Sequence, residues 1–192
     1  MSERKEAGEV VVLFALEREA APFRRAARGL RHVRARVSGV GRRRARLLAE
    51  QVLRELPAPR LVIAAGFCGA LVPELRVGDV VTSPRIVTVD HLVSNPAAKR
   101  RLGEEHDADV VDMESAGVAE VCAGRGVPFF AVRAVSDTVD TALSPALVQL
   151  LAGGHVSPLK AAAALIELVS RDAESSERTA VSRSAPKTPR RG

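Results

Sequence analysis

Carboxylates placed at the ends of apolar runs are the feature of this chain with the most chemical consequence. Residues 110–140 read VVDMESAGVAEVCAGRGVPFFAVRAVSDTVD, two apolar runs (110–111 and 127–135) that look like strands, separated by a helix-like segment at 114–125. Asp112 and Glu114 close the first run, and Ser136 and Asp137 close the second. In an open α/β sheet, ligands sit outside the carboxyl ends of the strands, so acids at two such ends converge on one crevice. A helix beginning near Glu114 turns its first N–H groups toward the same place. A carboxyl group there can give or take a proton, or accept hydrogen bonds from a ligand.

Each of these acids also has a plainer reading. Asp137 could end a strand or cap a helix beginning near Ser144, and Glu114 could be a first-turn acid that complements the helix dipole. Glu19, which follows the apolar run 10–16 in the cluster Glu17, Arg18, Glu19, could belong to a solvated surface. Arg133, between apolar neighbours, reads as a structural ion-pair residue. His91 and His106, with Asp90, Asp107 and Asp109 nearby, have no recognised ligand spacing, so neither a metal nor a cofactor is assigned.

The elements that must position these residues follow in order. The continuous run VVVLFAL (10–16) predicts a parallel strand buried on both faces, followed by a helix at 20–28 and a half-exposed strand at 31–37. Ser38-Gly39-Val40-Gly41 precedes a helix at 42–56. It lacks the third glycine of a dinucleotide fingerprint and reads as a tight turn. A second buried strand is expected at 61–65, running into a small-residue turn at 66–71. Strands at 75–82 and 86–89 come next, then helices at 96–102, 145–151 and 158–169, each opened by a proline. Strands alternating with helices imply a single α/β domain with a central, largely parallel mixed sheet flanked by helices.

The 192 residues suffice for one well-buried domain, expected at 9–170 between a flexible leader (1–8) and a disordered basic tail (171–192). The tail carries six basic and three acidic residues, half of the formal charge of +6. With Tyr and Trp absent, no aromatic residues of those types interleave the basic ones as in a single-strand stacking platform, which argues against nucleic acid as a partner. No run approaches the ~20 apolar residues of a membrane span, and no hydrophobic signal core opens the chain, which implies a cytoplasmic protein. Cys68 and Cys122 are isolated and read as buried thiols.

Six segments together resemble the purine nucleoside phosphorylase and nucleosidase superfamily, especially its methylthioadenosine/S-adenosylhomocysteine nucleosidase branch. In order they are ALERE (15–19), SGVG (38–41), AGFCGAL (65–71), RVGDVV (76–81), VDMES (111–115) and VPFFAVRAVSD (127–137). The resemblance implies hydrolysis of the N-glycosidic bond of a purine, most simply adenine, nucleoside. Protonation at N7 makes the departing base neutral while C1′ gains oxocarbenium character. Asp137 matches the acid that serves N7 and must hold its proton above about 3.9, which burial in an apolar pocket can arrange. Ser136 would orient it. Glu114 matches the group that accepts the ribose hydroxyls, with Met113 against the sugar, and Glu19 matches the group that positions the attacking water. Gly66 and Phe67 fall in the second glycine segment, and the backbone at Leu92 and Val93 matches the part that reads the purine edge.

Related phosphorylases bind phosphate through an arginine and a serine where Ala64 and Phe67 stand here. Apolar side chains there would desolvate phosphate without compensation, at a cost of several kcal/mol, which favours water. Arg42, Arg43 and Arg44 beside Gly41 leave an anion site open, so a phosphorylase is the alternative; a catalytically inactive member that binds nucleosides, or nucleic acid through the tail, is a further one. Two departures stand out. Leu92 replaces a common stacking aromatic, worth about 1 kcal/mol. The segment joining 78–81 to 86–89, which in the family helps to wall the pocket and build a dimer contact, is cut to a few residues. A shortened wall implies a bulky 5′ substituent, as in the related hopanoid-pathway nucleosidase, and the family implies a homo-oligomer.

Overall fold

Alternation along two strands divides the core. In β1 (Val10–Phe14), Val10, Val12 and Phe14 face one side of the sheet while Val11 and Leu13 face the other. Leu61, Ile63 and Ala65 of β3 (Leu61–Ala70) likewise oppose Val62 and Ala64. Both faces are covered, which is why neither stretch alternates with polar residues. The structure is a computed structural model and describes residues 8–56, 58–143, 163 and 165–167.

Helix α1 (Glu17–Ala26) closes the first face. Its Ala20 and Phe23 pack with Val10, Val12 and Phe14, the two phenylalanine rings lying 5.6 Å apart, and Leu165 completes the cluster. The second face is closed by α2 (Arg42–Glu55) and α4 (Ser115–Arg125). Ala45, Ala49, Val52 and Leu53 of the one meet Val118 and Cys122 of the other. Fully burying a valine or leucine is worth roughly 1.5–3 kcal/mol, so these two clusters are the main source of the fold's stability.

The sheet is mixed and largely parallel, as the sequence implied. β1 runs parallel to β2 (Val33–Val37) on one side and to β3 on the other, and β3 runs parallel to β7 (Phe129–Asp137). β4 (Val80–Thr82) is antiparallel to β7. β6 (Val110–Asp112) meets the far end of β3 antiparallel at Gly69 and Ala70, and β5 (Ile86–Thr88) lies parallel to β6. Three residues, 83–85, join β4 to β5, with Ser83 in the left-handed region at φ 47°. A link that short holds the two strands within about 14 Å of each other and curls the sheet's far end around Cys68, Ala70, Val110 and Val135. Helix α3 (Pro96–His106) packs outside this end.

Several expected boundaries move. β3 does not stop at Ala65 to form a turn at 66–71; it runs on to Ala70, with Gly66 and Phe67 paired to Arg133 and Ala134. Its glycines mark close approach from the flanking strands: a Cβ on Gly69 would lie 3.1 Å from Asp137 Oδ2 and 3.2 Å from Val111. The strand expected at 75–82 shrinks to Val80–Thr82, because Asp79 receives the Arg76 N–H and Gly78 turns the chain at φ 88°. Helix α3 runs about one turn beyond 102 and ends at Asp107 in the left-handed conformation. The first helix starts at Glu17 rather than 20, which ends β1 at Phe14. The helix expected at 145–151 and the tail at 171–192 lie outside the described residues. So do the leader, apart from Gly8, and the helix at 158–169, apart from four residues of which Leu165 is buried. Among the described residues no helix is long and apolar enough to cross a membrane.

Where α4 crosses the start of α2, a Cβ on Gly117 would lie 2.5 Å from the Arg42 carbonyl oxygen, a backbone atom with little freedom to yield. Gly117→Ala should therefore cost about 1–3 kcal/mol by urea denaturation, as overpacking does. An unchanged midpoint and slope would show that the two helices slide apart freely.

Candidate active site

A β-bulge aims the acid end of β7. Cys68 pairs with Val135 but Gly69 pairs with Asp137, so Ser136 is an extra residue in the ladder. The Cys68 carbonyl lies at that break, with Ser136 Oγ 3.0 Å away; the same Oγ stands 2.6 Å from Asp137 Oδ1. Asp137 Oδ2 is ion-paired with Lys99 of α3. The sequence reading placed Asp137 in an apolar pocket with only Ser136 to orient it. The carboxylate is buried as expected, but against a wholly buried ammonium group.

One strand away, Asp112 and Arg133 form a second buried pair. Arg133 Nη2 lies 2.5 Å from Asp112 Oδ2 and donates to Ser115 Oγ at 2.7 Å. Asp112 also receives the Thr88 hydroxyl at 2.6 Å and the Ser115 N–H at 3.1 Å, and so holds the first turn of α4. Asp112 is thus saturated by structural partners, and Arg133 is the ion-pair residue that its apolar neighbours suggested.

Among the described residues, Glu114 and Glu19 have no cation in direct contact and are held by backbone N–H groups. Glu114 Oε1 accepts from Gly41 N at 2.9 Å. Gly41 has φ 108° and no side chain, so the Ser38–Gly41 stretch is the expected tight turn and also delivers an N–H to the acid. Glu19 accepts from Leu16 N at 2.8 Å through Oε2 and from Phe67 N at 3.2 Å through Oε1. Burial pushes both carboxyls above the usual range. The two N–H bonds and then the Arg133 charge oppose this for Glu19, and the Gly41 N–H and then Arg133 oppose it for Glu114. A Cβ on Gly66 would lie 2.8 Å from Arg133 Nη1 and 3.1 Å from Glu19 Oε1, so only glycine lets those groups approach from one side of β3.

Glu19, Met113, Glu114, Ser136 and Asp137 all line one cavity of about 330 Å³, together with Phe67, Leu92 and Val93. These eight sequence-derived residues are therefore brought together. Gly66 lies behind Glu19 and does not line the space, and Ala64 faces the α2–α4 core instead. Most of the remaining wall is apolar, including Leu16, Val40 and Leu143, the last of which sequence reasoning missed along with Lys99. Cys68 lies in the wall with its thiol pushed up to about 12 by burial, and Cys122 is in the core, its thiol raised to about 11 for the same reason. His91 reaches the cavity while Asp107 and Asp109 pair with Arg85; among the described residues no cluster could hold a metal ion. Of the three arginines at the start of α2, Arg42 is engaged by Glu120.

Comparison with known proteins agrees with the fold. Residues 83–169 match the family described as the phosphorylase superfamily. The superfamily resemblance is borne out. The fold is similar to that of 5′-methylthioadenosine/S-adenosylhomocysteine nucleosidase from Helicobacter pylori with butyl-thio-DADMe-Immucillin-A. The TM-score is 0.75 at 18% identity, covering 85% of this chain and 98% of that one. A futalosine hydrolase mutant of Helicobacter pylori strain 26695 gives 0.74 at 17% identity, covering 85% and 99%. At these identities the likeness is one of fold. A 69-residue stretch is 36% identical to ATP nucleosidase Cap17 of Escherichia coli (strain KTE188), 35% of this chain but only 14% of that protein's length.

Within this fold, Arg133 bridges β7, the end of β6 and the first turn of α4. Arg133→Met would leave Asp112 buried without its cation and should cost about 3–5 kcal/mol in chemical denaturation. A loss below about 1 kcal/mol would mean that Thr88 and the Ser115 N–H satisfy Asp112 unaided. Glu19 gives a pH-dependent counterpart. Because its proton is held above the ordinary 4.5 in the folded protein, its contribution to stability is fully present below 4.5 and is lost as pH rises through the raised value. Glu19→Gln cannot ionise, so its melting temperature relative to wild type should climb across that window; a constant difference would contradict the burial argument.

Proposed function

We propose that this chain hydrolyses the N-glycosidic bond of an adenine nucleoside carrying an apolar 5′ substituent and releases the free base. The observation that carries the reading is the convergence of Glu19, Glu114 and Asp137 on one largely apolar cavity. In this reading Asp137 gives a proton to purine N7, and the C1′–N9 bond breaks with its electron pair passing to N9, so the base leaves neutral. Glu114 accepts the ribose 2′ and 3′ hydroxyls, and Met113 packs against the sugar. Glu19, fixed by the Leu16 and Phe67 N–H groups, orients the attacking water and takes its proton as oxygen bonds to C1′. Leu92 and Val93 form the side that meets the purine. The overall reaction consumes one water and yields base and ribose, and both carboxyls recover their starting protonation through solvent.

Two features support water over phosphate. Glu19 places a carboxylate where a phosphate dianion would have to sit, and the Phe67 N–H that could have served an anion already donates to Glu19. Phe67 adds an apolar wall in place of a donor. Val40 is exposed near the mouth, a surface suited to an apolar 5′ group or to a second copy of the chain. A cytoplasmic homodimer completes the reading.

The test is release of free base from a nucleoside panel with and without inorganic phosphate. Base should appear without phosphate, and kcat/KM should rise at least about tenfold from adenosine to analogues with larger apolar 5′ groups, roughly the worth of two buried methylenes. Release that requires phosphate would make the protein a phosphorylase, and equal turnover across the 5′ series would remove the proposed substituent.

A further inference from the structure

Among the described residues, Lys99 is the one cation that touches the candidate acid, and nothing in the function just proposed uses it. It is wholly buried, although the rest of α3 is mostly exposed; Gly103, one turn on, is the helix's other buried residue. Asn95 starts the helix by accepting the Ala97 N–H at 2.8 Å and the Ala98 N–H at 3.3 Å, and Pro96 fixes its first turn, so the lysine leaves a rigid base. Its ammonium group meets Asp137 Oδ2, the Thr138 carbonyl at 2.8 Å and the Thr141 carbonyl at 3.1 Å. Three donors meet three acceptors, which leaves the charge satisfied and the nitrogen without freedom to turn. Lys99 does not line the cavity; it reaches the substrate space only through Asp137.

The other oxygen of the acid has a different environment. Ser136 has one hydroxyl hydrogen and two oxygens within reach, the Cys68 carbonyl at 3.0 Å and Asp137 Oδ1 at 2.6 Å. A carbonyl oxygen can only accept. When the hydroxyl serves Cys68, the 2.6 Å contact is a hydrogen bond only if Oδ1 carries a proton; when the hydroxyl turns to Oδ1, it serves the bare carboxylate. Ser136 is therefore a two-way partner for Oδ1, while Oδ2 is committed to Lys99 in both states. Gly69 keeps the space beside both oxygens clear.

We infer that Lys99 is the positioning residue of the acid: it anchors Asp137 through Oδ2, leaves Oδ1 as the oxygen that delivers the proton, and stabilises the carboxylate formed once the proton has gone to purine N7. The electrostatic benefit is greatest after transfer, because the ammonium faces a full negative charge in an apolar surround only then. An interaction stronger after transfer than before it lowers the barrier instead of merely tightening binding. The inference rests on the reading of Asp137 as the acid.

A double-mutant cycle tests it, with 5′-methylthioadenosine as substrate. Lys99→Met should lower kcat by about thirtyfold or more, a part of the roughly hundredfold or larger effect that a positioned acid supplies, while KM changes less than about threefold. In an Asp137→Asn background the same substitution should change the residual kcat by less than about twofold, because its route to the substrate is already gone. Lys99→Arg, which keeps the charge, should recover part of the loss. Thermal melting sets the folded fraction; should Lys99→Met not fold, Lys99→Gln carries the same comparison with hydrogen-bond donors kept and the charge removed. Equal losses in both backgrounds, a rise in KM at unchanged kcat, or wild-type kcat in the charge-free variant would each overturn the inference and reduce Lys99 to a tie between α3 and the turn after β7. No base release by the wild-type protein from any nucleoside would instead remove the hydrolase reading itself.

Discussion

The contact between Arg133 and Asp112 is the constraint on which the rest of the site depends. Arg133 belongs to β7, Asp112 ends β6, and Ser115, which accepts from the same guanidinium, opens α4. One fixed cation thus sets where two strand ends and a helix start lie relative to one another. It also faces Glu19 across Gly66, which ties the end of the first strand into the same arrangement. A buried arginine is expensive to desolvate, and its planar, multiply donating head recovers that cost only where several acceptors already lie within reach. Asp112 and Ser115 provide two, and their geometry is in turn fixed by Thr88 and the α4 backbone.

Strand β3 makes this close assembly feasible. Its first half carries Leu61, Val62 and Ile63, which fill the core between helices. Its second half carries Gly66 and Gly69 at the two places where charged side chains from neighbouring elements must come within contact distance of the backbone. The same strand therefore changes from a packing surface to a thin partition with Glu19 and Arg133 at one glycine and Asp137 at the other. The bulge at Ser136 falls where that partition ends, and it turns Asp137 toward Gly69 instead of continuing the alternation of β7.

Much of this was legible in the sequence, because unbroken apolar runs and acids that end them are local signals. The faces of β1 and β3 follow from β-branched residues alone, and Glu114 and Asp137 stand out because carboxylates rarely terminate buried strands without a partner or a purpose. Other features were not legible, for identifiable reasons. The glycines at 66 and 69 carry the composition of a turn, and only the flanking strands, distant in the chain, require them to be extended. Lys99 sits in AAKRRL between small and basic residues, where a lysine is expected in solvent; its burial depends on Asp137, 38 residues away. Leu143 follows a turn whose path is set by the same lysine and by its own N–H bond to Ser94, so no local pattern could place it.

The buried charges sort into two kinds. Asp112 and Asp137 each have a cation in contact, Arg133 and Lys99, whereas Glu19 and Glu114 are held by N–H dipoles with Arg133 only nearby. An acid in contact with a fixed cation is held in position by it. An acid held by dipoles in an apolar wall has an unspent preference for positive charge, which is why burial raises both glutamates. In the proposed reaction, a sugar carbon that becomes cationic between them would offer that charge at the moment the bond breaks and withdraw it afterwards. The same arrangement discriminates against an anionic nucleophile, which would add to the surplus instead of relieving it. Under the proposed hydrolysis, pairing some acids and leaving others to dipoles would favour a neutral nucleophile and a cationic transition state in one cavity.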